Sequence, residues 1–148
     1  MRVSVKGRYA LAAMINIATN YRSDKYITVI SISEKLGISK IYLEQVFSLL
    51  KRGGLVHSVK GARGGYQLSR TPEKITVLEV LSAVELTLFE TTEATVAEKA
   101  PEIEKAMHLS AFDVLDSVVK NTLGEITLAD LVVSAEEQKA DSGFMFYI

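Results

Sequence analysis

Between Ser39 and Lys51 the chain sets out a row of side chains suited to gripping and reading a polyanion. Ser39, Lys40, Tyr42, Glu44, Gln45, Ser48 and Lys51 are polar, while Leu43, Val46, Phe47 and Leu50 recur three and four apart. That period belongs to a helix with one buried face. Base edges in the DNA major groove offer fixed patterns of donors and acceptors. Glutamine pairs with adenine through two bonds, glutamate accepts from the cytosine amino group, and serine, lysine and tyrosine suit phosphates or bases. Further on, Lys60-Gly61-Ala62-Arg63-Gly64-Gly65 is small and positive. Such a loop suits a narrow minor groove, where the potential is most negative. Arg2, Lys6 and Arg8 precede or open the first helix and stand where they can clamp phosphates. Each group has a plainer reading: an amphipathic helix, a hairpin whose glycines satisfy a turn, ordinary surface charge. Their succession favours duplex DNA.

The elements that must position these groups are legible around them. Residues 8–20 are apolar on nearly every turn, which predicts a buried helix. Residues 26–29 read as a short strand. Ser31 and Glu34 have capping-box spacing for a helix that Gly37 ends. Ser39 opens the next helix, to about Arg52, and Gly53-Gly54 closes it. Helix, short glycine turn, helix is the helix-turn-helix arrangement. Two short alternating runs, 55–59 and 66–68, flank the glycine loop and predict a β-hairpin wing. The expected fold class is mainly α with a small β wing, a winged helix-turn-helix domain followed by a long C-terminal dimerisation helix.

The expected division is 1–75 for DNA binding, 76–135 for dimerisation and regulation, and 136–148 for a polar tail ending in an apolar peptide. Thr76 and Glu79 have capping-box spacing for a helix over 77–84. A long helix is expected over 97–123, with Pro101 as an alternative first turn. Its Ile103, Met107, Ala111, Val114 and Val118 form one stripe, more than a 75-residue domain needs for its own core, and are the expected dimer contacts. Folding back on its own domain is the alternative. Thr127 and Asp130 cap a short last helix, 128–133, before a polar, mobile stretch. The ending Phe144-Met145-Phe146-Tyr147-Ile148 needs a cover. On the residues alone, a groove on the same dimer is favoured over a partner that captures the C-terminal carboxylate.

Composition narrows the function classes. Residues 1–75 hold 13 Lys or Arg against 4 Asp or Glu, and residues 76–148 hold 4 against 14. A basic half of this kind points to a polyanion partner. The chain has no cysteine, which excludes disulfides and thiolate-held metal centres. His57 and His108 have no ligand-spaced neighbours and are read as structural. No cofactor, metal site or catalytic constellation is expected, so the chain is not read as an enzyme. No signal peptide or spanning segment is seen, which makes a cytoplasmic location the expectation and a membrane partner not expected.

With these residues in place, the chain resembles the IscR, NsrR and CymR family of bacterial winged-helix regulators. The matching stretches are 5–10 (Val-Lys-Gly-Arg-Tyr-Ala), 42–47 (Tyr-Leu-Glu-Gln-Val-Phe), 54–56, 60–68 and 126–131. The resemblance implies a homodimer with crossed long helices, base reading by Tyr42, Glu44 and Gln45, and a basic wing residue in the minor groove. Where several members carry a wing-tip arginine, this chain has Lys60, with Arg63 nearby; lysine lacks arginine's planar fork. Many members hold an iron–sulfur cluster through three cysteines ahead of the long helix, and that sensing mode does not carry over. The cysteine-free CymR branch is the most similar. Its ending is similar to Met145-Phe146-Tyr147-Ile148, and there the regulator pairs with cysteine synthase. The resemblance therefore implies docking of Phe146, Tyr147 and Ile148 in that enzyme and a repressor of cysteine metabolism. Two alternatives stay open: gating by a small molecule in a dimer cleft around 84–110, or a protein that mainly binds and inhibits cysteine synthase.

Overall fold

The computed structural model describes residues 3–22, 25–61 and 64–146. Helix α1 (Val5–Thr19) starts where the Ser4 hydroxyl accepts from the Gly7 N–H at 3.2 Å. It runs through the middle of the fold, burying Ala10, Ala13, Met14 and Ile17. The small residues let α3 and α4 pack closely against it.

Helix α2 (Val29–Leu36) begins three residues before the start that a Ser31 cap would give. Thr28, not Ser31, is the cap, and its hydroxyl accepts from the Ser31 N–H at 3.1 Å. The earlier start absorbs Val29, so the strand expected over 26–29 shrinks to a single bridge between Ile27 and Tyr66. Gly37 ends α2 in the left-handed region at φ 68°, as its position predicts. Ser39 caps α3 (Lys40–Arg52) by accepting from the Tyr42 N–H at 3.2 Å.

Strands β1 (Val56–Val59) and β2 (Gly65–Leu68) pair antiparallel, from Val56 opposite Leu68 to Val59 opposite Gly65. The hairpin is anchored twice. Ile27 and Tyr66 exchange backbone hydrogen bonds of 2.8 Å, and the Tyr66 ring stacks on Phe47 of α3 with centroids 4.3 Å apart. Gly65 is required at the first anchor. Its φ is 154°, and a Cβ there would lie 2.3 Å from the Ile27 carbonyl oxygen.

Helix α4 (Val77–Val84) opens on the expected capping box of Thr76 and Glu79. Burial pushes the Glu79 carboxyl up, but the Thr76 bonds and Arg70 at 3.0 Å outweigh it and hold the group below the usual range. Val80 and Val84 join the core made by α1 and α3, as does Leu128. The long helix starts at Pro101, in its first turn, and is not uniform. It comprises α5 (Pro101–Met107), a π turn over His108–Phe112, and α6 (Asp113–Glu125). Residues 126–128 then pair with 75–77: Val77 N–H donates to the Ile126 carbonyl and Leu128 N–H to the Ile75 carbonyl, each at 2.9 Å.

Thr127 and Asp130 cap the last helix reciprocally, at 2.9 and 3.1 Å. That helix, α7 (Leu128–Phe146), does not stop at residue 133 but continues through the stretch expected to be polar and mobile. The reason is local: 134–141 is rich in Ala, Glu, Gln and Lys, good helix formers, with no proline and no glycine before Gly143. Among the described residues no helix is long and apolar enough to cross a membrane.

Candidate DNA interface

Helix α3 buries Leu43, Val46, Phe47 and Leu50. Opposite them, Ile41, Gln45, Ser48 and Arg52 stand four, three and four residues apart, one stripe along the outward face. Lys40, Glu44 and Lys51 form one flank, with the Lys40 ammonium 3.9 Å from the Glu44 carboxylate. Tyr42 lies on the other flank, half-buried, its ring edge-on to Tyr9 of α1 at 5.1 Å and 84°. The sequence reading missed Arg52 and Ile41, although both follow from the spacing of Gln45 and Ser48.

The remaining expected contacts are placed unevenly. Ser39 is exposed and its hydroxyl is engaged as the α3 cap, which leaves its proton free to donate outward. Lys51 donates to the Ser58 hydroxyl of β1 at 2.8 Å, so its charge ties α3 to the wing. Lys60 is exposed at the start of the wing loop. Arg63 and Arg2 lie outside the described residues. At the N-terminus, Lys6 is half-buried and Arg8 exposed; Lys6 and Tyr42 line one cleft with Glu85, which accepts from the Ser4 N–H at 2.9 Å and from the Ser4 hydroxyl. The structure therefore gathers Ser39, Lys40, Glu44 and Gln45 on α3, with Lys60 on the wing that Lys51 and Tyr66 fasten to that helix.

A second set of expected residues lies on the long helix. Ile103, Val114 and Val118 are exposed, Val118 at 55%, as is Ala111; Met107 is half-buried. Every residue from 109 to 118 is exposed, including Leu109, Phe112 and Leu115, the last at 61%. On α7, residues 133–143 are likewise exposed. Phe146 closes α7, while Tyr147 and Ile148 lie outside the described residues.

The segment ahead of α5 is closed by a carboxylate. Glu104 is buried and accepts from the Val96 N–H at 2.9 Å, the Thr95 N–H at 3.2 Å and the Thr95 hydroxyl at 3.3 Å. His108 Nε2 lies 3.3 Å from its other oxygen. The bond from Val96 foremost, with those from Thr95 and His108, holds the Glu104 carboxyl below the usual range against the effect of desolvation.

Comparison with known proteins agrees with this fold. Residues 3–134 match the Rrf2 family, described as an iron-dependent transcriptional regulator. The chain is 38% identical over 136 residues to the HTH-type transcriptional regulator IscR of Xenorhabdus nematophila, covering 92% of this chain and 82% of that one. Among solved structures, T. potens IscR aligns with a TM-score of 0.72 at 33% identity, covering 99% of this chain and 97% of the other. CymR, the global cysteine regulator of B. subtilis, aligns with a TM-score of 0.68 at 31% identity, covering 90% and 98%. The iron in the family description does not fit a thiolate-held cluster here. The chain has no cysteine, and among the described residues no three His, Asp or Glu side chains are grouped to hold a metal. With its helix-turn-helix and wing in place, the chain belongs to the Rrf2 family and is a DNA-binding transcriptional regulator.

Proposed function

We propose that this regulator works as a homodimeric repressor that reads two half-sites, each with the outward face of α3 in the major groove and the wing in the adjacent minor groove. The single observation that carries the reading is the coupling of the outward polar stripe of α3 to a basic loop through Phe47–Tyr66 and Lys51–Ser58. Gln45 reads bases, Lys40, Arg52, Lys60, Lys6 and Arg8 neutralise phosphates, and Arg63 enters the minor groove. The exposed stripe of α5 and α6 supports the dimer. An apolar helix surface bare over residues 109–118 is stable in water only when covered, and a two-fold partner covers it with the same surface. Such a dimer sets its half-sites about one helical turn or a multiple apart. Gln45→Ala and Arg63→Ala test the assignment by fluorescence anisotropy on a duplex selected from a random library. Loss of affinity is expected for both, and unchanged affinity for both overturns it.

For the signal we favour docking of the C-terminal peptide, Phe146 to Ile148, in cysteine synthase, with regulation of cysteine metabolism as the outcome. The exposure of α7 over 133–143 supports this. Deletion of Tyr147 and Ile148 should abolish capture of cysteine synthase and leave the dimer intact. An alternative effector site is the cleft of about 260 Å³ lined by Phe89, Thr91, His108, Phe112, Asp113 and Asp116, which suits a small molecule.

A further inference from the structure

Ile41 is 72% exposed in the first turn of α3. It stands two residues after the Ser39 cap, at the end of the helix whose N-terminal residues enter the major groove in helix-turn-helix proteins. Its companions along the outward stripe, Gln45, Ser48 and Arg52, are all polar. Packing does not explain an isoleucine there, because the core of α3 lies on the opposite side. In the major groove the apolar group on a base edge is the C5-methyl of thymine, and an aliphatic side chain is its natural contact. Isoleucine is also stiff at χ1, so its methyl groups are held in place before binding. Lys40 and Glu44, which pair on the neighbouring flank, leave this position free of charge.

We infer that Ile41 is a specificity-determining residue that packs on the C5-methyl of one thymine in each half-site. The inference rests on the reading of α3 as the recognition helix. It adds an apolar contact to the polar ones, and it makes the operator's preference at that position a preference for a methyl group.

The test couples a methyl deletion in DNA to a side-chain deletion in protein. Duplexes are selected from a random library with the wild-type chain. Each thymine in the selected duplex is then replaced singly by deoxyuridine, which keeps base pairing and removes only the methyl. For the wild type, one replacement in each half-site should weaken binding about fourfold, the worth of one buried methyl, and both together about sixteenfold. For Ile41→Ala the same replacements should change affinity by less than about 1.5-fold, because the side chain that feels the methyl is gone. Ile41→Ala should keep the wild-type melting temperature, since the side chain is exposed. If no deoxyuridine replacement matters, or if the penalty persists in Ile41→Ala, the inference is overturned while DNA binding stands. If the folded wild type selects no duplex at all, the recognition-helix reading falls and takes this inference with it.

Discussion

Replacing Lys60 by alanine gives a sharp test of the electrostatics. On the proposed reading, the described DNA face carries Lys6, Arg8, Lys40, Arg52 and Lys60, five cations in a protomer and ten in a dimer. Each phosphate neutralised releases counterion, so the logarithm of affinity falls with the logarithm of salt by about 0.9 per contact. Full engagement gives a slope near −9, and doubling the salt from about 100 mM then weakens binding about 500-fold. Lys60→Ala removes two contacts from the dimer, moves the slope to about −7, and cuts the loss to about 150-fold. Lys51 supplies the control. Its ammonium is drawn to Ser58 of β1 at 2.8 Å, off the outward stripe of α3, so Lys51→Ala should move the slope less than Lys60→Ala does. The assay is fluorescence anisotropy on one duplex across a salt series. A slope unmoved by Lys60→Ala refutes the placement of the wing on the phosphates. A change with Lys51→Ala as large as that with Lys60→Ala refutes the division of labour between the two lysines.

Three further outcomes are expected. Leu115→Glu puts a charge in the middle of the exposed α6 stripe, and analytical ultracentrifugation should find the monomer mass with helix content retained by circular dichroism. Gly65→Ala forces a Cβ against the Ile27 carbonyl in a left-handed conformation; it should lower stability by about 1–3 kcal/mol and weaken operator binding. The Glu104 carboxyl sits below its ordinary range because it is hydrogen-bonded while ionised. Its contribution is therefore present above about pH 4 and lost as pH falls through the depressed folded value. Protection of the Thr95 and Val96 amides from hydrogen exchange, taken relative to the intrinsic rate at each pH, should fall in acid, and in Glu104→Gln it should already be low at neutral pH. Slow exchange in that variant would show that the carboxylate does not hold the segment.

The helix boundaries that a single side chain decides were the most legible. Ser39, Gly37, the Thr76–Glu79 pair and the Thr127–Asp130 pair each act within three residues of the chain, so spacing alone reveals them. The start of α2 failed for the same reason: Thr28 and Ser31 are both able to cap, and choosing between them takes the Ile27–Tyr66 bridge, a contact across the fold. The length of α7 was underread because an apolar period was sought where only propensity carries the helix. The π turn over His108–Phe112 has no local signal at all. On α3 the polar residues are legible from type and spacing, whereas the exposure of Ile41 is not, because an apolar side chain in an amphipathic helix is expected in the core. The charge of Lys51 suggests a DNA contact, and the fold adds a bond to Ser58 that no spacing reveals.

The double anchoring of the hairpin has a consequence for the DNA. With Tyr66 stacked on Phe47 and bridged to Ile27, the wing and the reading helix form one rigid caliper. With α3 in the major groove and the wing in the minor groove, as proposed, the strands that carry the wing keep a set spacing from the reading helix, and the protein then measures the step between grooves as well as the letters in between. One base pair inserted between the two contact points displaces a jaw by about 3.4 Å along the duplex and swings it around the axis. Operators of this regulator should therefore be intolerant of insertions inside each half-site, even where every contacted base is kept.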